Sequence, residues 1–204
     1  MRWRVLLIPL LPCALALPWE PNQLTSQQIR NIAWGSGTCD HARYPSECVT
    51  ADAAAAYIRN AFVRYEISSP EQQAAVISVM AYESEDFKLS RDHEPDVIGT
   101  GTRNMQSASF NQKYAASIPE LNRLTRVCND SSLILDLLVS EPRWDFGSAA
   151  WFLTTQCTQE QRARLKTGSD KAWEDYVVNC LGHPVTPERR EYWNRAIYEL
   201  VRSK

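Results

Sequence analysis

Apolar residues recur at helical spacing along most of this chain. The clearest stretch runs from Ser69 to Glu83, where Ala74, Ile77 and Ala81 form one stripe that Val76, Met80 and Tyr82 widen. Ser69-Pro70-Glu71-Gln72 opens it with an N-cap residue, a proline at the first helical position and a glutamine placed for a capping box. A stripe this wide predicts a helix buried over much of its circumference. Upstream, Thr25 or Ser26 caps a short helix through Trp34 that ends at Gly35-Ser36-Gly37. A second helix starts near Thr50, carries Ala53-Ala54-Ala55-Ala56, and repeats Tyr57, Ala61, Phe62 and Tyr65 at helical spacing. Downstream, helix signals return at 107–117, 119–127, 132–139, 144–153, 158–166 and 169–181. Thr186-Pro187-Glu188 then opens a last helix that turns Tyr192, Trp193, Ile197 and Leu200 inward. Between these blocks, residues 85–101 hold Glu85, Asp86, Asp92, Glu94 and Asp96 with Pro95, Gly99 and Gly101, and follow neither period, so short strands or a β-ribbon are expected there. The predicted class is mostly α (α+β): a helical domain with one small irregular or β lobe.

The N-terminus changes the picture of where such a domain works. Arg2 and Arg4 precede the apolar run Val5–Leu11, and Ala14-Leu15-Ala16 supplies small residues at a cleavage position. This is the pattern of a secretory signal peptide over residues 1–17, leaving one domain over 18–204 and an extracellular, secreted product. No other run is long and apolar enough to cross a membrane, so no membrane partner is expected. Loss of Arg2 and Arg4 takes the basic residues from 22 to 20 against 24 acidic ones. With no basic cluster to track a phosphate backbone, nucleic acid is not an expected partner either. A monomer is expected.

Secretion makes disulfides the default use of cysteine. Cys13 lies in the leader, and Cys39, Cys48, Cys128, Cys157 and Cys180 remain. Four bonded cysteines allow three pairings; the local loops Cys39–Cys48 and Cys157–Cys180 are the expected ones, with Cys128 left over. Wide cysteine spacing and only three histidines, His41, His93 and His183, predict no metal site. No organic cofactor is expected. Asn129-Asp130-Ser131 is a sequon for N-glycosylation.

The candidate chemistry centres on Glu83. A carboxylate at a helix C-terminus is disfavoured by the dipole, and apolar surroundings add to that effect, which together suit a general acid. Glu83-Ser84, the following loop, and Gly101-Thr102-Arg103-Asn104-Met105-Gln106 resemble a motif of goose-type lysozymes and soluble lytic transglycosylases, with Met105 lying 22 residues after Glu83. Ala149-Ala150-Trp151-Phe152 looks like the small-residue helix that faces the catalytic glutamate there, although those families carry Tyr-Asn where this chain has Trp151-Phe152. The signal and whole-chain character are similar to secreted fungal muramidases. The resemblance implies a lysozyme-like fold and cleavage of β-1,4 bonds in peptidoglycan, with Glu83 as acid, Ser84 in support, and Asn104, Met105, Gln106 and Trp151 on the substrate. It places the second carboxylate at Asp96, with Asp92 as the other choice, to activate water. Arg91 and Arg103 are expected to pair with acids of this loop. The polymer stays open between peptidoglycan and chitin or chitosan, and the reaction between hydrolysis and lytic transglycosylation. A non-catalytic secreted glycan-binding protein is the alternative from another class.

Overall fold

The computed structural model describes residues 24–203. The expected leader, residues 1–17, lies outside them. Helix α1 spans Ser26–Ile32, α2 Ala51–Arg64, α3 Pro70–Glu83, α4 Ala108–Ser117, α5 Asn122–Val127 and α6 Ser131–Val139. Then come α7 Pro142–Asp145, α8 Ser148–Gln156, α9 Gln159–Leu165, α10 Asp170–Asp175 and α11 Pro187–Ile197. The fold is mostly α. Cys39 is bonded to Cys48 and Cys157 to Cys180, while Cys128 is a free, half-buried thiol.

The core is built around α3. All ten residues from Gln72 to Ala81 are buried, so the wide stripe has become a helix enclosed on every side. Helix α11 lies along it, with α8 and α9 also against it. Enclosure obliges its polar side chains to find partners. Gln72 Nε2 donates to the Arg162 carbonyl at 2.7 Å and Gln73 Nε2 to the Ile67 carbonyl at 2.7 Å. The first of these contacts explains a departure from the sequence pattern. Ser69 caps α3 by accepting from the Gln72 amide, but the Gln72 side chain reaches away to Arg162, so no capping box closes there. Reciprocal boxes form instead at Thr25–Gln28 and Thr158–Gln161.

Several expected helices are shorter or interrupted. Helix α1 ends at Ile32 and a 3-10 turn, Trp34–Gly37, follows it. The 119–127 helix starts only at Asn122. The 144–153 segment breaks into α7 and α8 because side chains take the carbonyls a continuous helix would use: Tyr114 Oη donates to Trp144 O at 2.9 Å and Ser148 Oγ to Asp145 O at 2.8 Å. The 169–181 helix widens into a π-turn at Tyr176–Cys180. The expected β-ribbon reduces, among the described residues, to isolated bridges of Gly101 with Arg91 and with Gln106. Strand pairing fails because backbone groups here bond to side chains, as Ser90 N does to Glu47 Oε2 and Gly99 O does to Asn111.

What holds this loop is Arg103, only 2% exposed. Its Nε donates to Asp145 Oδ2 at 2.7 Å, Nη1 to the carbonyls of Phe87 and Leu89, and Nη2 to the carbonyl of Glu47. The guanidinium also lies over the Phe146 ring at 4.8 Å. Thus Arg103 does not pair with Asp92, Glu94 or Asp96, and Arg91 bonds to Asp136 and approaches Glu47 instead. Burial pushes the Asp145 carboxyl up to about 6, with Arg103 pulling the other way. A raised acid binds its proton more tightly in the folded chain, so the associated stability is present below the ordinary carboxylate range and lost as pH rises towards about 6. Denaturant midpoints measured from pH 4 to pH 6.5 are therefore expected to fall more steeply in the wild type than in Asp145→Asn; identical slopes would remove Asp145 as the cause.

Candidate functional site

Directly after α3 the backbone makes an unusual turn. Glu85, Asp86 and Phe87 have φ of 50°, 60° and 65°, a left-handed run that costs roughly 1–2 kcal/mol per non-glycine residue. Tertiary contacts offset it. The Phe87 ring is fully buried, its carbonyl accepts from Val49 N and from Arg103, and Asp86 is gripped from two sides. Asp86 Oδ2 accepts from Gly35 N at 2.8 Å and Oδ1 from Tyr192 Oη at 2.9 Å. Gly35 is needed for that approach, since a Cβ there would lie 2.7 Å from Asp86 Oδ2. The turn therefore fixes Glu83, Glu85 and Asp86 relative to Trp34 and α11.

Two cavities meet at this turn, and Glu83 and Glu85 line both. The larger, of about 670 Å³, is walled by Trp34, Tyr82, Asp86, Lys88, Glu188, Glu191, Tyr192 and Arg195. The smaller, of about 240 Å³, adds Arg43, Tyr44, Leu89, Arg91, Asp92, His93, Glu94 and Met105. Carboxylates outnumber cations in both linings. Hydrogen bonds from its own backbone amide and from Thr186 hold the Glu188 carboxyl below its ordinary value, so this wall stays anionic. Trp34 is 72% exposed, and one of its faces carries the Arg195 guanidinium at 4.3 Å. The same guanidinium lies 4.2 Å from the Tyr192 ring. Arg195 is fixed there by its Nε bond to Ile32 O at 2.7 Å.

Glu83 itself is not the isolated, apolar acid of the sequence reading. Its Oε1 accepts from Arg189 Nη1, and His183 Nε2 stands 3.8 Å from the same oxygen. Arg189 is 9% exposed and stacks on Tyr82 at 4.4 Å. Burial lowers the His183 imidazole from its ordinary value, Glu83 opposes that shift and Arg189 adds to it. Tyr176, buried beside this cluster, is raised by desolvation and by the Glu83 charge.

The other residues of the motif scatter. Ser84 is fully buried and closes the end of α3, donating to Met80 O at 2.6 Å and accepting from Phe87 N at 3.0 Å. Asn104 and Gln106 are largely buried and bonded within the protein, and with Met105 and His183 they also line a third cavity of about 160 Å³. Asn104 Oδ1 accepts from Thr102 and Ser148, its Nδ2 donates to Gln106 Oε1, and Gln106 Nε2 donates to Asn111. Met105 borders the smaller cavity. Trp151 is 4% exposed and packs on Tyr114 and Phe152, which removes it from any groove. Asp92 lines the smaller cavity, where its Oδ1 accepts from Glu94 N at 2.9 Å. Asp96 is exposed and lines neither cavity. Glu83, Asp92 and Met105 line one cavity, Asn104 and Gln106 line an adjoining one with Met105 and His183, and Asp96 and Trp151 line none of these. The structure adds Arg189, His183, Trp34, Tyr192 and Arg195.

The chain is 40% identical over 151 residues to a bifunctional dioxygenase–epoxy alcohol synthase of Fusarium oxysporum (strain Fo5176), a stretch that is 70% of this chain but only 12% of the relative. No family model matches the chain, and no solved structure matches it. This similarity overturns the expected membership of the lysozyme superfamily, with the muramidase, chitin-cleaving and transglycosylase activities attached to it. The named relative is an oxygenase and synthase, not a glycosidase. Glu83 is engaged by Arg189, and Asp96 lines neither cavity beside it.

Proposed function

We propose that this chain is a binding module, and that the groove over Trp34, Glu85 and Glu188 takes a cation-bearing peptide segment. The observation that carries the reading is the Trp34–Arg195–Tyr192 stack. A guanidinium of the protein's own already lies against the inner face of an indole whose outer face is open, and carboxylates ring it. A second guanidinium or ammonium on the outer face would gain cation–π attraction together with the field of Glu85, Glu188 and Glu191. The relative couples two activities in a polypeptide of which the matched stretch is 12%, and an accessory role suits a segment of that size.

The test is fluorescence anisotropy of labelled nine-residue oligoarginine and oligoglutamate peptides at low and physiological salt. The arginine peptide is expected to bind saturably and to weaken as salt rises. Trp34→Ala should weaken it about 5-fold or more, the loss of roughly 1 kcal/mol of cation–π attraction. Glu160→Gln, on the distant α9, should leave binding unchanged. Equal binding of the acidic peptide, or capture of a neutral polysaccharide alone through Trp34, would overturn the cationic reading.

A further inference from the structure

Three large exposed apolar side chains lie on α5 and in the first turn of α6, on either side of Asn129 along the chain. Leu124 and Val127 are 47% and 84% exposed, and Leu133 is 48% exposed. Leu124 and Val127 stand one turn apart on the same face of α5, and Leu133 lies in the first turn of α6. Between the two helices is Asn129, exposed and two residues from Val127, within roughly 7 Å along an extended backbone. Asn129-Asp130-Ser131 is the one Asn-x-Ser/Thr sequence in the whole chain. The flanking residues Cys128 and Asp130 are both extended.

We propose that Asn129 carries an N-linked glycan and that this glycan covers the Leu124–Val127–Leu133 patch. The covalent step belongs to the secretory route, which the leader pattern at 1–17 supplies and which the two disulfides suit. Asn129 Nδ2 forms a bond to C1 of an oligosaccharide carried on a lipid pyrophosphate, the C1–O bond breaks, the lipid pyrophosphate leaves, and the amide gives up one proton to a base of the transferase. In the folded chain Ser131 is half-buried, with Gly99 at φ +80° close against it, while Asn129 stays exposed. The Asp130 carboxylate caps α6, accepting from Ser132 N at 2.9 Å and Leu133 N at 3.2 Å, which holds Asn129 at the surface beside the three apolar side chains.

The experiment uses the full chain secreted from yeast. Intact mass before and after peptide-N-glycosidase treatment should show one glycan, lost in both Asn129→Gln and Ser131→Ala. Asn129→Gln should melt at the wild-type temperature, which separates glycosylation from folding. Removing the glycan should raise the fluorescence of a hydrophobic dye several-fold, and the rise should vanish in the Leu124→Ser/Val127→Ser variant. A secreted protein with Asn129 unmodified would overturn the site. An occupied Asn129 with unchanged dye binding, or a glycosylated protein that still self-associates through the patch, would overturn the covering role.

Discussion

Replacing Arg103 by leucine is expected to cost about 3–5 kcal/mol of folding stability, the usual penalty for leaving a buried charge without its partner. Asp145 is 2% exposed, and its Oδ2 receives the Arg103 Nε while Oδ1 has no hydrogen-bond partner. The carbonyls of Glu47, Phe87 and Leu89 lose their Arg103 donors at the same time. For a domain of this size a loss of that order lowers the melting temperature by roughly 10 °C. Arg103→Lys should recover little, because one ammonium cannot reach four acceptors held in the guanidinium plane. The double variant Arg103→Leu/Asp145→Leu should recover much of the loss, since it removes both charges together. Denaturant midpoints of the three variants decide the matter. A loss below about 1 kcal/mol in Arg103→Leu would mean that the network does not hold the loop.

Glu83→Ala is expected to destabilise by roughly 3 kcal/mol, because it strands Arg189 between α3 and α11. Arg189 has few ways to compensate. Its Nε is already buried without a partner, and its guanidinium stacks on Tyr82 and reaches Glu83. Arg189→Leu alone strands Glu83 in turn. In a double-mutant cycle the two should couple by about 2 kcal/mol or more. Additive losses in the cycle would instead make the contact a surface ion pair of little value. The outcome also bears on function, since a glutamate serving only as a reactive acid could be changed to alanine with little change in stability.

Much of the helical frame was readable along the chain, and the residues say why. Ser69 and Pro70 announce α3, Thr186 and Pro187 announce α11, and the observed caps sit on Ser69 and Thr186. One part of the site was readable too and was missed. Arg189 occupies the position one turn before Trp193 on the inward stripe of α11, followed by Ala196, Ile197 and Leu200, all buried. A charged residue at such a position signals a buried ion pair. Trp34 carried no such signal, because nothing near Gly35-Ser36-Gly37 tells an exposed indole from a core one. The glycosidase motif misled for a related reason. Its residue types are present at family-like spacing, yet Asn104 and Gln106 spend their amides on Ser148, Thr102 and Asn111.

The amino-acid order alone determined the mostly helical class, where α3 and α11 begin, and the absence of any regular period between 85 and 101. These depend on terms acting over a few residues: caps, periodicity and chain stiffness. Only the tertiary structure decided that Glu83 meets Arg189, 106 positions away. It alone curls Glu85 to Phe87 left-handed to reach Gly35 and Arg103, and breaks the helix after Asp145. Each of those outcomes is a contest between local backbone preference and a buried polar group seeking a partner, and the partner exists only once the helices have packed.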